Sequence, residues 1–384
     1  MKILYRSAAV AHATGPELDL DQSVLVEDGA IAWLGHDDEA PDSDVDRIVD
    51  AGGSTIVPGL VDAHSHTTLP GGSHWIDRIE DDTEDLMAAA EHNGDIAHRA
   101  GIRWLRDVGA PRRDGRALSL TVRDSWVGRH DRPYIRAAGT WIERTGTFGF
   151  TESAEDADAV EAVVSKQIDE GSDLIKLYVE GPDVDTSTWT VGEVERAVKV
   201  ATERGVPVTA HATNLPSVRA AVSGGVDCIE HGTALDADVA ADMDSRGTYL
   251  VPTLAINASW ESFGSTTTLE RFTGDESATR MAERKERAYD SFRLAVDAGV
   301  TIAAGTDFGG GSLRANQLAW EIEHLVDAGL EPWQALAAAT WIGGDLMREA
   351  GAGRLIVGGP ADFFFVHGNP LQDPSALWRV WRIA

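Results

Sequence analysis

Residue types that ligate metals are strung along most of the chain: His64-Ser65-His66, then Lys176, His211, His231 and Asp307. Each comes just after, or within, a short apolar run that reads as a strand. Imidazoles two apart on a strand point to one face, so His64 and His66 can reach the same cation. His211 closes Val206-Pro207-Val208-Thr209-Ala210, and His231 closes Asp227-Cys228-Ile229-Glu230, about one short strand–helix unit later. Imidazole suits zinc and similar divalent ions. Asp307, after residues 300–306, can ligate a metal and also take a proton from an activated water. Singly, each has a blander reading: a buried histidine bonded to a carbonyl, or an aspartate capping a helix. Ligands delivered one strand-end at a time point instead to a metal-dependent hydrolase.

Lys176 sits inside Asp173-Leu174-Ile175-Lys176-Leu177-Tyr178-Val179, an otherwise apolar strand. An ammonium there is costly to bury. Either it pairs internally, with Glu180 or Asp173 as candidates, or it is a desolvated neutral amine with chemistry to do. Tyr178, two residues on, shares its face and is placed to hydrogen-bond a developing oxyanion, with core packing as the competing role.

The positioning elements follow from the hydrophobic pattern. Residues 3–5, 23–27, 30–34 and 46–50 read as short strands, with Asp28-Gly29 as a hairpin turn. From residue 56 the pattern becomes strand, loop, helix, repeated. Strands are expected at 56–63, 102–108, 134–138, 174–178, 206–210, 228–230, 248–252 and 300–304. Helices are expected at 157–170, 191–204, 281–298 and 332–349. Gly171, Gly205 and Gly299 fit the left-handed residue that closes a helix. Strands alternating with helices imply a parallel sheet, and eight units suggest a (β/α)₈ TIM barrel with its site at the strand carboxyl ends. The tail returns to strand and turn chemistry at 354–357 and 362–366. The expected α/β organisation is therefore a barrel over 58–351, with a small discontinuous β-sandwich domain from 1–57 plus 352–384.

The chain has 384 residues, 43% of them hydrophobic, enough for a sizeable core. Its 63 acidic and 33 basic side chains leave a net charge of −30, which disfavours nucleic acid and anionic membranes as partners. Cys228 is the single cysteine, so no disulfide forms within the chain. Without a signal-like leader or an apolar span of membrane length, a soluble cytoplasmic protein is expected, acting on a small molecule and compatible with a homo-oligomer. Trp75 and Trp141 fall on strand–helix loops where they can line an apolar pocket. His74, His98, His130, His324 and His367 lack ligand context and are expected at the surface or in caps, with His74 nearest the first pair.

The ordered set resembles the amidohydrolase superfamily. The matching residues are Val57-Pro58-Gly59-Leu60-Val61-Asp62-Ala63-His64-Ser65-His66, Ile175-Lys176, His211, Glu230-His231-Gly232 and Gly305-Thr306-Asp307. Gly358-Gly359-Pro360-Ala361-Asp362 is similar to the family's closing strand motif. The resemblance spans nearly the whole chain and looks closest to the imidazolonepropionase-related and prolidase-like branch. It implies two divalent ions, with zinc expected, and a CO₂-derived carbamate on Lys176 bridging them. His64, His66 and Asp307 would hold one ion, and His211 and His231 the other. Imidazolonepropionases proper are mononuclear and lack that lysine, so Lys176 argues against their activity. The implied catalytic residues are Asp307, which moves the proton, with Tyr178 and His231. The implied reaction is hydrolysis of an amide-type carbon–nitrogen bond in a dipeptide, N-acyl amino acid or cyclic amide. An ester, lactone or carbamate is the alternative at the same site. A non-catalytic relative used for binding or assembly should have lost ligands, whereas all six positions are filled. In the loop at 145–150, Phe148 stands where related dipeptidases suggest a polar group.

Overall fold

The structure, a computed structural model, describes residues 1–144, 151–180 and 186–384. The 145–150 loop lies outside the described residues. The fold is mixed α/β. Leu60–Ser65, Ile102–Asp107 and Tyr134–Ala137 form one parallel sheet. Ile142–Glu143, Ile175–Tyr178, Val208–Ala212, Cys228–His231 and Tyr249–Val251 follow in chain order in another, also parallel. Single parallel pairings extend these sheets: Ala138 with Leu174, Leu250 with Ile302, and Ser65 with Phe308. The strands are buried on both faces, which is why they read as continuous apolar runs rather than alternating ones.

Helices lie between the strands, and their ends are written in the sequence. Thr190 and Glu193 form a reciprocal capping box for Val191–Glu203, while Asp156, Asn214 and Asp236 cap the next backbone donors of their helices. The glycines expected past the helix ends are left-handed, with φ of 95° at Gly171, 72° at Gly205 and 91° at Gly299.

Strands from both ends of the chain share one sheet of seven. Ser54–Pro58 pairs antiparallel with Phe363–His367, and Tyr5, Phe363 and Phe365 pack their rings over a common apolar cluster. Asp28 and Gly29, at φ 49° and 83°, turn between Asp19–Glu27 and Ala30–His36 as expected of a type I′ hairpin. Val380–Ile383 adds an edge strand that the pattern did not announce.

Five expectations need correction. The run 56–63 is two strands, because Gly59 leaves the terminal sheet and its N–H bonds Asp362 O at 2.8 Å. Arg103, ion-paired to Asp362 at 2.8 Å, packs where a Cβ on residue 59 would lie. Residues 300–304 form no regular strand. Their backbone bonds diverge, with Leu250 N donating to Thr301 O, Ala63 N to Ala304 O, and Ala304 N to Ala338 O. The expected 332–349 helix is two, Pro332–Ala338 and Trp341–Leu346, broken at Thr340, whose hydroxyl bonds back to Leu336 O at 2.7 Å. Residues 354–357 are irregular, and Arg354 is turned to Asp345, one terminal nitrogen donating to both carboxylate oxygens at 2.9 Å. The expected 281–298 helix also starts earlier, at Asp275, where Asp275 and Glu276 suit the helix's positive end. No helix among the described residues is long and apolar enough to cross a membrane.

Gly305 is required where the 300–306 segment crosses the His64 strand. A Cβ there would meet His64 N at 2.6 Å and His64 Cβ at 2.7 Å. Gly305→Ala should therefore destabilise the fold by about 1–3 kcal/mol, as overpacking does. Denaturant unfolding checks this, and a variant as stable as the parent would remove the steric argument.

Candidate functional site

A cavity of about 260 Å³ opens at the carboxyl ends of the parallel strands. His64, His66, Lys176, His211, His231 and Asp307 all line it, as do Tyr178, Trp75 and Trp141. Strand register does much of the assembly: Lys176 lies across from Thr209, Tyr178 from His211, and Ala212 from His231. Asp307 N donates to His64 O at 2.8 Å, which brings the aspartate against the first histidine pair. Asp307 Oδ1 is then 3.3 Å from Nε2 of both His64 and His66. Ligand atoms of these three residues all lie within 4.8 Å of one another, close enough to converge on one ion. The ring of His231 lies 5.1 Å from that of His64 and 4.5 Å from that of His211.

Partners behind the imidazoles decide which nitrogen faces the cavity. His66 Nδ1 donates to Gly109 O at 2.9 Å and so leaves an Nε2 lone pair. His231 Nδ1 is 2.7 Å from Thr253 Oγ1. His211 Nε2 lies 3.3 Å from Glu180 Oε2, which leaves Nδ1 for a ligand. His64 Nδ1 is buried without a hydrogen-bond partner, 3.7 Å from Glu230 Oε2. On the other side of that ring, Nε2 converges with His66 Nε2 and Asp307 Oδ1, and two imidazole nitrogens with a carboxylate oxygen are a donor set that suits a divalent ion.

Burial also sets the protonation states. It pushes His64 down to about 3 and moves His211 and His231 below the ordinary imidazole range, so all three are neutral near pH 7 with lone pairs available. Burial alone would raise Asp307, but His64, His66 and His231 outweigh it and hold the carboxylate well below its usual range. Burial drives the Tyr178 phenol upward, with Glu180 adding to the effect, so it stays a donor; its ring stacks on His211 at 4.2 Å. Burial brings Lys176 down to about 7, partly opposed by Asp307. Its ammonium pairs with Glu230 rather than with Glu180 or Asp173. Glu230 is itself held by Arg106 at 3.2 Å and by the Thr209 hydroxyl at 2.9 Å.

Three residues here have positive φ without being glycine: His231 at 70°, Thr253 at 48° and Asp307 at 58°. Such conformations cost of order 1–3 kcal/mol each, and they persist where the surroundings over-determine them. Asp62 is one such restraint, accepting from Thr306 Oγ1 at 2.6 Å, Thr306 N at 3.0 Å and His64 N at 3.2 Å. Glu321 is another. Its two oxygens accept from Leu254 N at 2.9 Å and Ala255 N at 2.7 Å, fixing the start of the helix that follows Thr253.

Sequence reading missed Arg106, Thr253, Glu321, Trp260 and Arg284, and named Glu180 only as a partner for Lys176, whereas it pairs with His211. Arg106 gave the same signal as Lys176, a long cation inside an apolar strand, but the others carry no local mark. His74 is exposed beside Asp77 and does not line the cavity. His324, expected near the surface, is buried against the Tyr289 hydroxyl on the inner face of Leu318–Ala328.

A profile described as Amidohydrolase family matches residues 55–381. An uncharacterized protein of Mycobacterium tuberculosis is 33% identical over 351 residues, covering 88% of this chain and 85% of that protein. An imidazolonepropionase of Salinispora tropica is 29% identical over 395 aligned residues, covering 94% and 88%. A solved structure of a Xaa-Pro dipeptidase with methionine in its active site superposes with a TM-score of 0.85 at 26% identity, covering 99% of this chain and 97% of that one.

Thr253→Ala removes the hydroxyl behind His231 and should weaken divalent-metal retention by about 10–100-fold, with Thr253→Ser restoring it. Competition with a chelator measures this, and unchanged retention in the alanine variant would rule out the role. Burial raises Glu321 from 4.5 to about 8, against the pull of its two backbone donors. A carboxyl raised on folding stabilises fully below its unfolded value and loses that contribution as pH climbs through the folded one. Wild-type Tm should therefore fall between about pH 4.5 and 8 more steeply than that of Glu321→Gln; parallel curves would exclude Glu321 as a source.

Proposed function

The chain belongs to the amidohydrolase family of hydrolases acting on carbon–nitrogen bonds, and on that basis we propose that it is a binuclear metal-dependent enzyme. In this reading His64, His66 and Asp307 would hold one divalent ion and His211 and His231 a second, with Lys176, once carboxylated by CO₂, as a further anionic ligand. The observation that carries the binuclear reading is Lys176 itself: 2% exposed, held near pKa 7, and lining one cavity with five other candidate ligand residues. A neutral amine can attack CO₂, forming the N–C bond and losing one proton, which Glu230 is placed to receive. The same lysine favours this reading over imidazolonepropionase activity.

Bound divalent ions supply a Lewis acid for the carbonyl oxygen and a water acidic enough to ionise near neutral pH. Asp307, kept ionised by its imidazole neighbours, accepts the proton of the attacking water. The water oxygen adds to the carbonyl carbon, the carbon–nitrogen bond breaks, and Asp307 returns the proton to the departing nitrogen. Tyr178, kept protonated by burial, donates to the carbonyl oxygen as charge develops there. His231 is anchored by Thr253 at the wall shared by both ligand sets. The nearby apolar walls limit water to the reacting position.

The scaffold belongs to the same proposal: a (β/α)₈ barrel over 58–351, with a small β-sandwich from 1–57 plus 352–384. The single pairings at Ala138, Ile302 and Phe308, which extend the parallel sheets toward one another, support the barrel. The shared seven-stranded sheet supports the discontinuous second unit.

Lys176→Ala should fold, bind fewer than two equivalents of metal, and lose at least about 100-fold in turnover, a penalty typical of losing a group that stabilises the transition state. Elemental analysis with calorimetric unfolding checks this, and two tightly held metals in the variant would remove Lys176 from the ligand set. Assaying metal-loaded protein against dipeptides, N-acyl amino acids and cyclic amides beside esters, lactones and carbamates ranks the substrate classes. Turnover of esters or lactones alone would overturn the amide assignment.

A further inference from the structure

Arg284, on the Asp275–Ala298 helix, lines the same cavity and belongs to none of the metal-ligand motifs. Its guanidinium lies 4.8 Å from the centroid of the Trp260 ring, and its Nε donates to Asn257 Oδ1 at 3.3 Å. Among the described residues no carboxylate forms an ion pair with it, and neither terminal nitrogen has an acceptor. Acidic side chains outnumber basic ones 63 to 33 in this chain, so a carboxylate was readily at hand if folding needed only to neutralise an arginine. Partial withdrawal from water weakens the guanidinium's hold on its proton, the direction expected of a half-buried cation without a direct anionic partner.

The rest of the lining supplies the shape of what this cation meets. Trp75, Ile76, Trp141, Ile256 and Trp260 make the walls apolar, and a cavity of about 260 Å³ suits a small molecule. The stacked and anchored guanidinium presents its two terminal nitrogens as a preformed fork, the geometry that matches a carboxylate. Glu180 and Asp307 also act on this cation through space, and they would repel a dianion such as a phosphate monoester more strongly than a monoanion.

We propose that Arg284 is a specificity-determining residue that binds a carboxylate of the substrate, whose apolar body packs against Trp260 and whose scissile bond faces the His64–Asp307 cluster. The proposal rests on the hydrolase reading of this pocket and adds the substrate's charge and the residue that reads it. It also assigns to a helix position a recognition task for which Phe148, in the loop after the third barrel strand, has no polar group.

The test uses metal-loaded protein and two probes of one shape, N-acetyl-L-phenylalanine and its primary amide. Equilibrium binding is followed by calorimetry, and hydrolysis by release of the free amine, in wild type, Arg284→Met and Arg284→Lys. Wild type should prefer the acid by about 100-fold, the lysine variant should keep part of that preference, and the methionine variant should lose it, since a carboxylate–arginine fork is charge-assisted and its loss leaves a buried group unpaired. Equal binding of acid and amide by wild type, binding of neither, or an unchanged preference in Arg284→Met would each overturn the assignment. A binding preference that Arg284→Met abolishes, without hydrolysis of either probe, would support Arg284 and count against the hydrolase reading of the site alone. Thermal melts of both variants establish that the compared proteins are folded.

Discussion

The constraint on which the rest depends is desolvation. Several ionisable groups are withdrawn from water at the ends of parallel strands, where an uncompensated charge costs several kcal/mol. Each is accounted for by a different device. His64, His211 and His231 give up their charge, while Asp307 keeps its own under the influence of the imidazoles. Lys176 and Arg106 share Glu230, and Glu180 is held by backbone donors at Asn214 and by His211. The positive φ values of Thr253 and Asp307 are held by further buried carboxylates, Glu321 on the backbone after Thr253 and Asp62 on Thr306 before Asp307.

What could be read from the chain beforehand follows the same physics. The six proposed ligand positions were legible because each interrupts or ends an apolar run, and period-two alternation puts His64 and His66 on one face. Helix limits were legible at Thr190, Asp156 and the three closing glycines, where capping chemistry is local. The pattern failed where long-range packing overrode it. Gly59 splits one apolar run because Arg103 and Asp362 occupy the space beside it, and Thr340 breaks a helix that composition would continue. Nothing in the neighbourhood of residues 300–304 says that their hydrogen bonds are divided among three partners.

The supporting residues were harder still. Thr253, Glu321 and Arg284 stand on segments outside the proposed ligand motifs, and a threonine or glutamate in such contexts is ordinary in composition. Their roles depend on tertiary neighbours: Thr253 on His231, Glu321 on the backbone of residues 254 and 255, Arg284 on Trp260. Ligands announce themselves by chemistry that is unusual for a strand, whereas the groups that orient them are recognisable only by where the fold puts them.

The seam between the two sheets carries a consequence for how the molecule comes into being. Thr55 donates to the carbonyl of Gly368, 313 residues away, and its strand runs through Gly59 directly into the one bearing His64 and His66. On a ribosome the first histidine pair therefore emerges well before the strand that braces its base, Phe363–His367. Pairings of such long sequence separation form slowly. In the interval between them the nascent chain holds an unpaired strand edge and proposed metal ligands with no finished frame around them, and aggregation or capture of the wrong ion competes with folding.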